Sequence, residues 1–240
     1  IGLTTLSEVA QRSGQIARAT DLPVLVDADT GFGEPMSAAR TIAALEDAGL
    51  AGCHLEDQVN PKRCGHLDGK QVVDEDTALK RIRAAVDARR DPNFLIMART
   101  DIRAVEGLDA AIDRAKALVD AGADAIFPEA MTGLGEFEAV ANAVDVPILA
   151  NMTEFGRTPS LTAEAFQELG YDMVIWPVSS LRVANKAQEK LYAVLARDGA
   201  TTAMLPEMQT RAELYDLIGL NDFEALDSSI AQSVVPDWNR

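Results

Sequence analysis

Of 240 residues only two are cysteines, Cys53 and Cys64, and only two are histidines, His54 and His66. Two thiols in a chain this long make no disulfide framework, so a reducing cytoplasm is the default expectation. So few imidazoles and thiols also weigh against zinc, whose ligands are mostly His and Cys. Aromatics are 5% of the chain. Ala, Val, Leu and Ile must fill the core, which disfavours an aromatic-rich binding surface. Positive charge is scarce as well: 22 Lys and Arg face 38 Asp and Glu, a formal net charge of -16. Such a surface repels nucleic acid and anionic membranes, and no basic run offsets it. No apolar stretch approaches a membrane span, and no signal peptide opens the residues given. Linkers rich in Pro, Gly or Ser are missing, so one domain over 1–240 is expected.

What is present is a series of short apolar runs alternating with helical patterns. Strands are expected at 23–26, 52–55, 94–98, 125–127, 147–150 and 173–176. Each is nearly all apolar, as suits parallel strands buried on both faces. Helices are expected at 6–19, 36–48, 75–88, 108–121, 133–143 and 162–169. A join repeats between them: Glu46-Asp47-Ala48-Gly49, Val119-Asp120-Ala121-Gly122 and Gln167-Glu168-Leu169-Gly170. A Gly just past a helix end takes the left-handed conformation that turns the chain into the next strand. Its repetition marks βα units in series. After Trp176 the pattern is helical only, with 180–197, 212–218 and 223–227 forming a C-terminal extension over 180–240. Six strands fall short of the eight of a closed (β/α)8 TIM-type barrel. With no initial Met, the simplest expectation is that two βα units belong upstream of Ile1. An open doubly wound sheet is the rival fold. It is ranked second because polar residues follow every strand rather than one switch point.

Those polar residues sit where barrel active sites are built, at the C-terminal strand ends. They are Asp27 and Asp29, then Glu56-Asp57, Arg99-Thr100-Asp101, Glu129, and Asn151 with Thr153. Asp27 and Asp29 are two apart, which on a strand puts both carboxylates on one face. Two like charges that close call for a cation, and a hard divalent ion such as Mg²⁺ (or Mn²⁺) suits oxygen ligands. The bland alternative is a helix cap near Pro35. Glu56, inward on the next strand, tilts the balance toward a metal held by Asp27, Asp29 and Glu56. His54 shares that face as an interior residue, and Cys53 points into the strand–helix layer.

The stretch 59–73 has no periodicity, and a loop that long in a compact domain is usually functional. It holds Lys62-Arg63-Cys64-Gly65-His66, a local cation cluster around a thiol, which favours thiolate. A solvated basic loop with an incidental Cys is an even alternative. Arg99 can grip a carboxylate bidentately or form a structural ion pair with Asp101 or Glu129. Arg182 can do either job. Asn151 suits carboxylate recognition or a turn.

Several of these segments are specific enough to carry a resemblance. Val26-Asp27-Ala28-Asp29-Thr30-Gly31-Phe32-Gly33, Leu55-Glu56-Asp57-Gln58, Lys62-Arg63-Cys64-Gly65-His66, Ile96-Met97-Ala98-Arg99-Thr100-Asp101, Phe127-Pro128-Glu129-Ala130 and Asn151-Met152-Thr153-Glu154-Phe155-Gly156 resemble the isocitrate lyase/phosphoenolpyruvate mutase superfamily. The Cys-Gly-His loop is similar to its lyase branch, and the likeness runs on to Met208-Gln209-Thr210-Arg211. The resemblance implies a Mg²⁺-dependent barrel that cleaves a hydroxy-tricarboxylate, 2-methylisocitrate, to pyruvate and succinate. Asp27 and Asp29 would hold the metal, with Glu56 contributing. Cys64 would act as general acid, supported by His66, Arg99 and Glu129 as catalytic groups. Lys62, Arg63, Gly65, Arg99, Glu129, Asn151, Thr153 and Arg182 would contact substrate. It also implies a homotetramer with an exchanged C-terminal helix. The chain departs from the family pattern at its start: a Ser-Gly-rich substrate segment, a further Asp and a Tyr often assigned as base are not in this sequence, so the base is unnamed. Rival readings are a sister lyase acting on isocitrate or dimethylmalate, and a non-catalytic barrel serving as a binding subunit.

Overall fold

The computed structural model describes residues 2–65, 69–156 and 158–232. The chain forms two compact units, 1–179 and 180–240.

In the first unit, α1 (Leu6–Ala17) precedes β1 (Leu25–Asp27), and five further strands alternate with helices: α2 (Pro35–Asp47), β2 (Gly52–Glu56), α3 (Glu75–Ala88), β3 (Leu95–Thr100), α4 (Arg103–Glu106), α5 (Leu108–Asp120), β4 (Ala125–Pro128), α6 (Leu134–Ala141), β5 (Leu149–Asn151), α7 (Ala163–Glu168) and β6 (Met173–Ile175). All pairings between these strands are parallel, and the strands stand in chain order: β1-β2-β3-β4 form one sheet and β5-β6 another. A parallel bridge from Ile126 to Ile148 joins the two. Consecutive order with no reversal is the winding of a TIM-type barrel. A doubly wound sheet would reverse its order at a switch point, so that alternative fails. The six expected strands are all present, and β1 runs later than expected, to Asp27.

The joins between units behave as the repeat suggests. Gly49, Gly122 and Gly170 have φ of 83°, 104° and 88°, a region that only glycine enters without steric cost. Helix starts are fixed locally as well. Thr5 and Glu8 make a reciprocal capping box on α1, and Asp74 accepts from Thr77 N–H at the start of α3. An oxygen at this position satisfies an otherwise orphaned helix N–H.

Side chains alternate across the strands. Cys53, Leu55, Ile96, Ala98 and Ile126 pack outward against α2, α3 and α5 in the main apolar layer. Met97, Ala125, Phe127 and Leu149 pack on the opposite, concave face. Register then stacks the concave residues in rows: Asp27 lies beside His54, Glu56 beside Arg99, and Arg99 beside Phe127. The polar row is the last one, at the C-terminal ends of the strands.

The second unit continues α8 (Ser179–Asp198) from its first residue onward. A 3-10 turn follows at Thr202–Glu207, then α9 (Arg211–Leu217) and α10 (Leu220–Ala231). Lys190 pairs with Glu207, and α9 begins with a Thr210–Glu213 capping box. The helix expected at 223–227 is longer than its pattern showed, because α10 also takes in the polar residues Asn221 and Ser228. No helix among the described residues is long and apolar enough to cross a membrane.

Candidate active site at the strand ends

Asp27 and Asp29 come together, but not as strand neighbours. β1 stops at Asp27, and Asp29 has φ 48°. The chain turns there because the Asp27 carboxylate accepts the Asp29 backbone N–H at 2.8 Å. Such an Asx turn mimics a backbone turn and tolerates the left-handed conformation. The two carboxylates and Glu56 share one cation, the Lys62 ammonium. It lies 2.6 Å from Asp29, 3.5 Å from Glu56 and 3.9 Å from Asp27. Lys62 is therefore turned to the acidic cluster.

The electrostatics of this cluster are uneven. Burial pushes the Glu56 carboxyl up to about 7, with Asp101 and Asp27 adding to the rise while Arg99 and Lys62 oppose it. Asp27 is held below the ordinary carboxylate range: burial opposes this, and His54, Lys62 and the Asp29 N–H outweigh it. Burial also lowers His54, with Arg99 and Lys62 adding to the fall and Asp27 and Glu129 opposing it. Lys62 itself is raised; burial lowers it, and Asp27, Glu56 and Asp29 prevail.

These residues fit a divalent ion in kind. All three donors are hard carboxylate oxygens, and their common neighbour is already a cation. Glu56 Oε1 is buried without a hydrogen-bond partner, a costly state for an oxygen that nothing satisfies. Among the described residues no three ligands are gathered into a ready cage. A groove of about 670 Å³ opens beside Asp29, lined also by Thr30, Arg40, Asn60 and residues 2–7.

Arg99 is the hub of the neighbouring strand. Its Nε and Nη2 donate to Asp101 at 2.9 and 3.2 Å, and it lies 3.3 Å from Glu56 and 3.4 Å from Glu129. Its guanidinium also stacks over Phe127, 4.9 Å from the ring centre. Burial would lower its pKa, but Glu129, Asp101 and Glu56 hold it well above the usual value. The ion-pair reading of Arg99 is thus the observed geometry. Glu129 is fully buried and accepts from Asn151 Nδ2 at 3.1 Å, while Thr153 donates to Asn151 Oδ1 at 2.9 Å. That chain fixes which way the Asn151 amide faces.

The loop carrying Cys64 comes down on this floor at Gly65. A Cβ at Gly65 would overlap the Glu129 carboxylate, which Arg99 and Asn151 already hold. Gly65→Ala should therefore lift the loop and lower kcat about tenfold or more, the scale of small misplacements of reacting groups. Steady-state kinetics on the variant would show this, and an unchanged kcat would mean the loop does not seat here. Cys64 itself is exposed, whereas Cys53 is buried and its thiol is pushed far up by burial and by Asp27. His66 lies outside the described residues. Arg182 lies in the second unit, on α8, and its role stays an expectation from the sequence.

Sequence reasoning missed a second layer that holds the floor. Asp57 accepts from Thr100 Oγ1 at 2.7 Å, Asp101 N–H at 2.9 Å and Arg114 at 3.0 Å, tying the end of β2 to β3 and α5. Lys70 is buried and pairs with Asp101 at 2.9 Å. Asp57 was legible as a polar residue after a strand. A single lysine late in a loop carried no such signal.

The model of the phosphoenolpyruvate phosphomutase family matches residues 2–195. The chain is 60% identical to a protein of Corynebacterium glutamicum described as probable 2-methylisocitrate lyase 2, over 96% of this chain and 75% of that one. It resembles the crystal structure of 2,3-dimethylmalate lyase, a PEP mutase/isocitrate lyase superfamily member, at TM-score 0.89 and 36% identity, covering 99% of this chain and 81% of that one. It also resembles phosphonopyruvate hydrolase in complex with oxalate and Mg²⁺, at TM-score 0.83 and 26% identity, covering 94% and 79%.

Proposed function

The chain belongs to the phosphoenolpyruvate mutase/isocitrate lyase superfamily, and from that premise we propose that it cleaves 2-methylisocitrate to pyruvate and succinate. The observation that carries this reading is the acidic cluster of Asp27, Asp29 and Glu56 set beside a Cys-bearing loop seated on Glu129. The 60% identity to a probable 2-methylisocitrate lyase supports the substrate.

A Mg²⁺ ion held by Asp27 and Asp29, with Glu56 behind them, would supply Lewis-acid polarisation of the substrate hydroxyl and its neighbouring carboxylate. In the reaction the hydroxyl loses its proton to a base and its C–O bond becomes the ketone of pyruvate. The adjacent C–C bond breaks. Its electron pair passes to the succinate carbon and spreads into the carboxylate there. Arg99, fixed by Asp101, presents buried positive charge to that developing anion. Asn151, held in one orientation by Glu129 and Thr153, offers an amide for carboxylate recognition. Cys64 then gives its thiol proton to the succinate carbon as general acid. Lys62 keeps the acidic cluster charge-balanced, Arg63 is read as a further substrate contact, and His66 as a catalytic group supporting Cys64.

The same reading takes the protein as a cytoplasmic homotetramer. Exposed apolar residues such as Leu217 on α9 and Phe223 on α10 are of the kind that subunit contacts cover. Both cysteines are free, as suits a reducing compartment.

Purified protein with Mg²⁺ should release pyruvate from 2-methylisocitrate, detected by coupled NADH oxidation, and excess EDTA should abolish the release until Mg²⁺ is restored. Turnover of 2,3-dimethylmalate or isocitrate in place of 2-methylisocitrate would overturn the substrate. Full activity in EDTA would overturn the metal.

A further inference from the structure

We infer that Gln58 and Lys70 are positioning residues that fix the backbone on either side of Cys64. The inference rests on the reading of Cys64 as the proton donor. Cys64 is exposed and sits on a long loop, so packing around its side chain does not aim the thiol. Its neighbours in the chain are held instead. The buried Gln58 amide clamps Arg63 from both sides of the peptide: Nε2 donates to the Arg63 carbonyl at 2.8 Å, and Oε1 accepts the Arg63 N–H at 2.9 Å. Among side chains only a carboxamide offers a donor and an acceptor at that spacing.

On the other side, the Lys70 ammonium donates to the Gly65 carbonyl and to Asp101 Oδ1. Asp101 is the carboxylate that orients Arg99, and its N–H is bound by Asp57. Gly65 is thus referenced to the same strand end as the group that faces the developing anion. Gln58 is anchored in turn: its carbonyl accepts from Arg81 of α3 at 3.1 Å, and it bridges antiparallel to Val72. Val59 N–H donates to the Gln71 carbonyl and Val73 N–H to the Asp57 carbonyl, which closes the base of the loop. Burying an ammonium is costly, and replacing the whole Lys70–Asp101 pair by well-packed apolar side chains would often serve stability as well or better. A lysine placed there to hold one carbonyl beside a reacting thiol is explained by geometry at that thiol.

The test is Gln58→Met and Lys70→Met in the full chain, assayed with Mg²⁺ and 2-methylisocitrate. Each is expected to lower kcat about 30-fold or more with KM within about threefold, the scale of an ångström-level misplacement. The double variant should lose less than the product of the two, since both free the same backbone. Trypsin should cut the Arg63–Cys64 bond about tenfold faster in each. Mn²⁺ affinity should stay within about twofold, since neither residue contacts Asp27 or Asp29; this separates loss of aim from collapse of the site. Where a Met variant does not fold, Gln58→Glu or Lys70→Arg decides by the same criteria. Retention of kcat within about threefold, or a fall in kcat matched by lost Mn²⁺ affinity, would overturn the inference. Cys64→Ser separates it from the reading beneath. If Cys64→Ser is inactive while the Gln58 and Lys70 variants keep full turnover, only the positioning role fails. If Cys64→Ser is active, the catalytic reading itself fails.

Discussion

Replacing Cys64 by serine is expected to cut kcat by about 10³-fold while KM for 2-methylisocitrate changes by less than about threefold, within the range that a positioned general acid contributes. The argument is one of acidity and place. A thiol titrates near 8.5 and an alkyl hydroxyl does not titrate in water at all. The serine would occupy the same site and give up its proton far less readily. In the proposed site, binding falls to the Mg²⁺ that Asp27 and Asp29 would hold and to the Arg99 cation. A transition-state contribution lost without a binding contribution lowers kcat and kcat/KM together and leaves KM. Coupled pyruvate release measures the rate, and calorimetric titration with the product succinate measures binding. A kcat within about tenfold of the parent would remove Cys64 from the reaction. Cys53 is the internal control. It is buried among Leu55, Ile96 and Ile42 and takes no part in the scheme.

The fold was legible because it rests on local signals. Apolar runs and helix periodicity repeat along the chain, and the glycines that follow α2, α5 and α7, Gly49, Gly122 and Gly170, do adopt the left-handed conformation that the pattern requires. The site was legible in its residues more than in its geometry. Asp27 and Asp29 converge through a turn rather than along a strand, because β1 ends two residues too early for both to lie on it. Lys62 belongs to the acidic cluster, a pairing that depends on β1 and β2 meeting the loop in space. Gln58 and Lys70 were illegible for the same reason. Each has an ordinary polar neighbourhood in sequence, and only long-range packing buries it. The likeness to a lyase family located the motif segments, but family motifs do not say which polar side chains hold others in place.

Arg99→Met is expected to destabilise the first unit by about 3–5 kcal/mol at pH 7, the cost of removing one partner from a buried charge cluster. Met preserves length and can still pack against Phe127, so lost volume is a small part of the effect. What is lost is the cation among three buried carboxylates: Glu56, Asp101 and Glu129. Lys70 remains on Asp101, and Lys62 remains on Glu56. Among the described residues no other side chain bridges the three. The pH dependence follows from the signs. Asp101 is held below its ordinary value: burial opposes this, and Arg99 and then Lys70 prevail. A depressed carboxylate stabilises the fold above the unfolded value, about 3.9 for Asp, and that stabilisation is lost as pH falls through the folded value. Glu56 runs the other way. Raised to about 7, it weakens the fold as pH climbs from the unfolded Glu value toward 7, and without Arg99 it resists ionisation further. Both effects make the gap between parent and variant widest near neutral pH and narrow it below about pH 4. Urea unfolding at pH 3, 5.5 and 7 measures the gap. A gap under about 1 kcal/mol at pH 7, or one that does not narrow on acidification, would mean that Arg99 is not the charge that holds these strand ends together. The same substitution should also abolish pyruvate release, since the cation that organises the floor is the one that faces the succinate carboxylate in the proposed reaction.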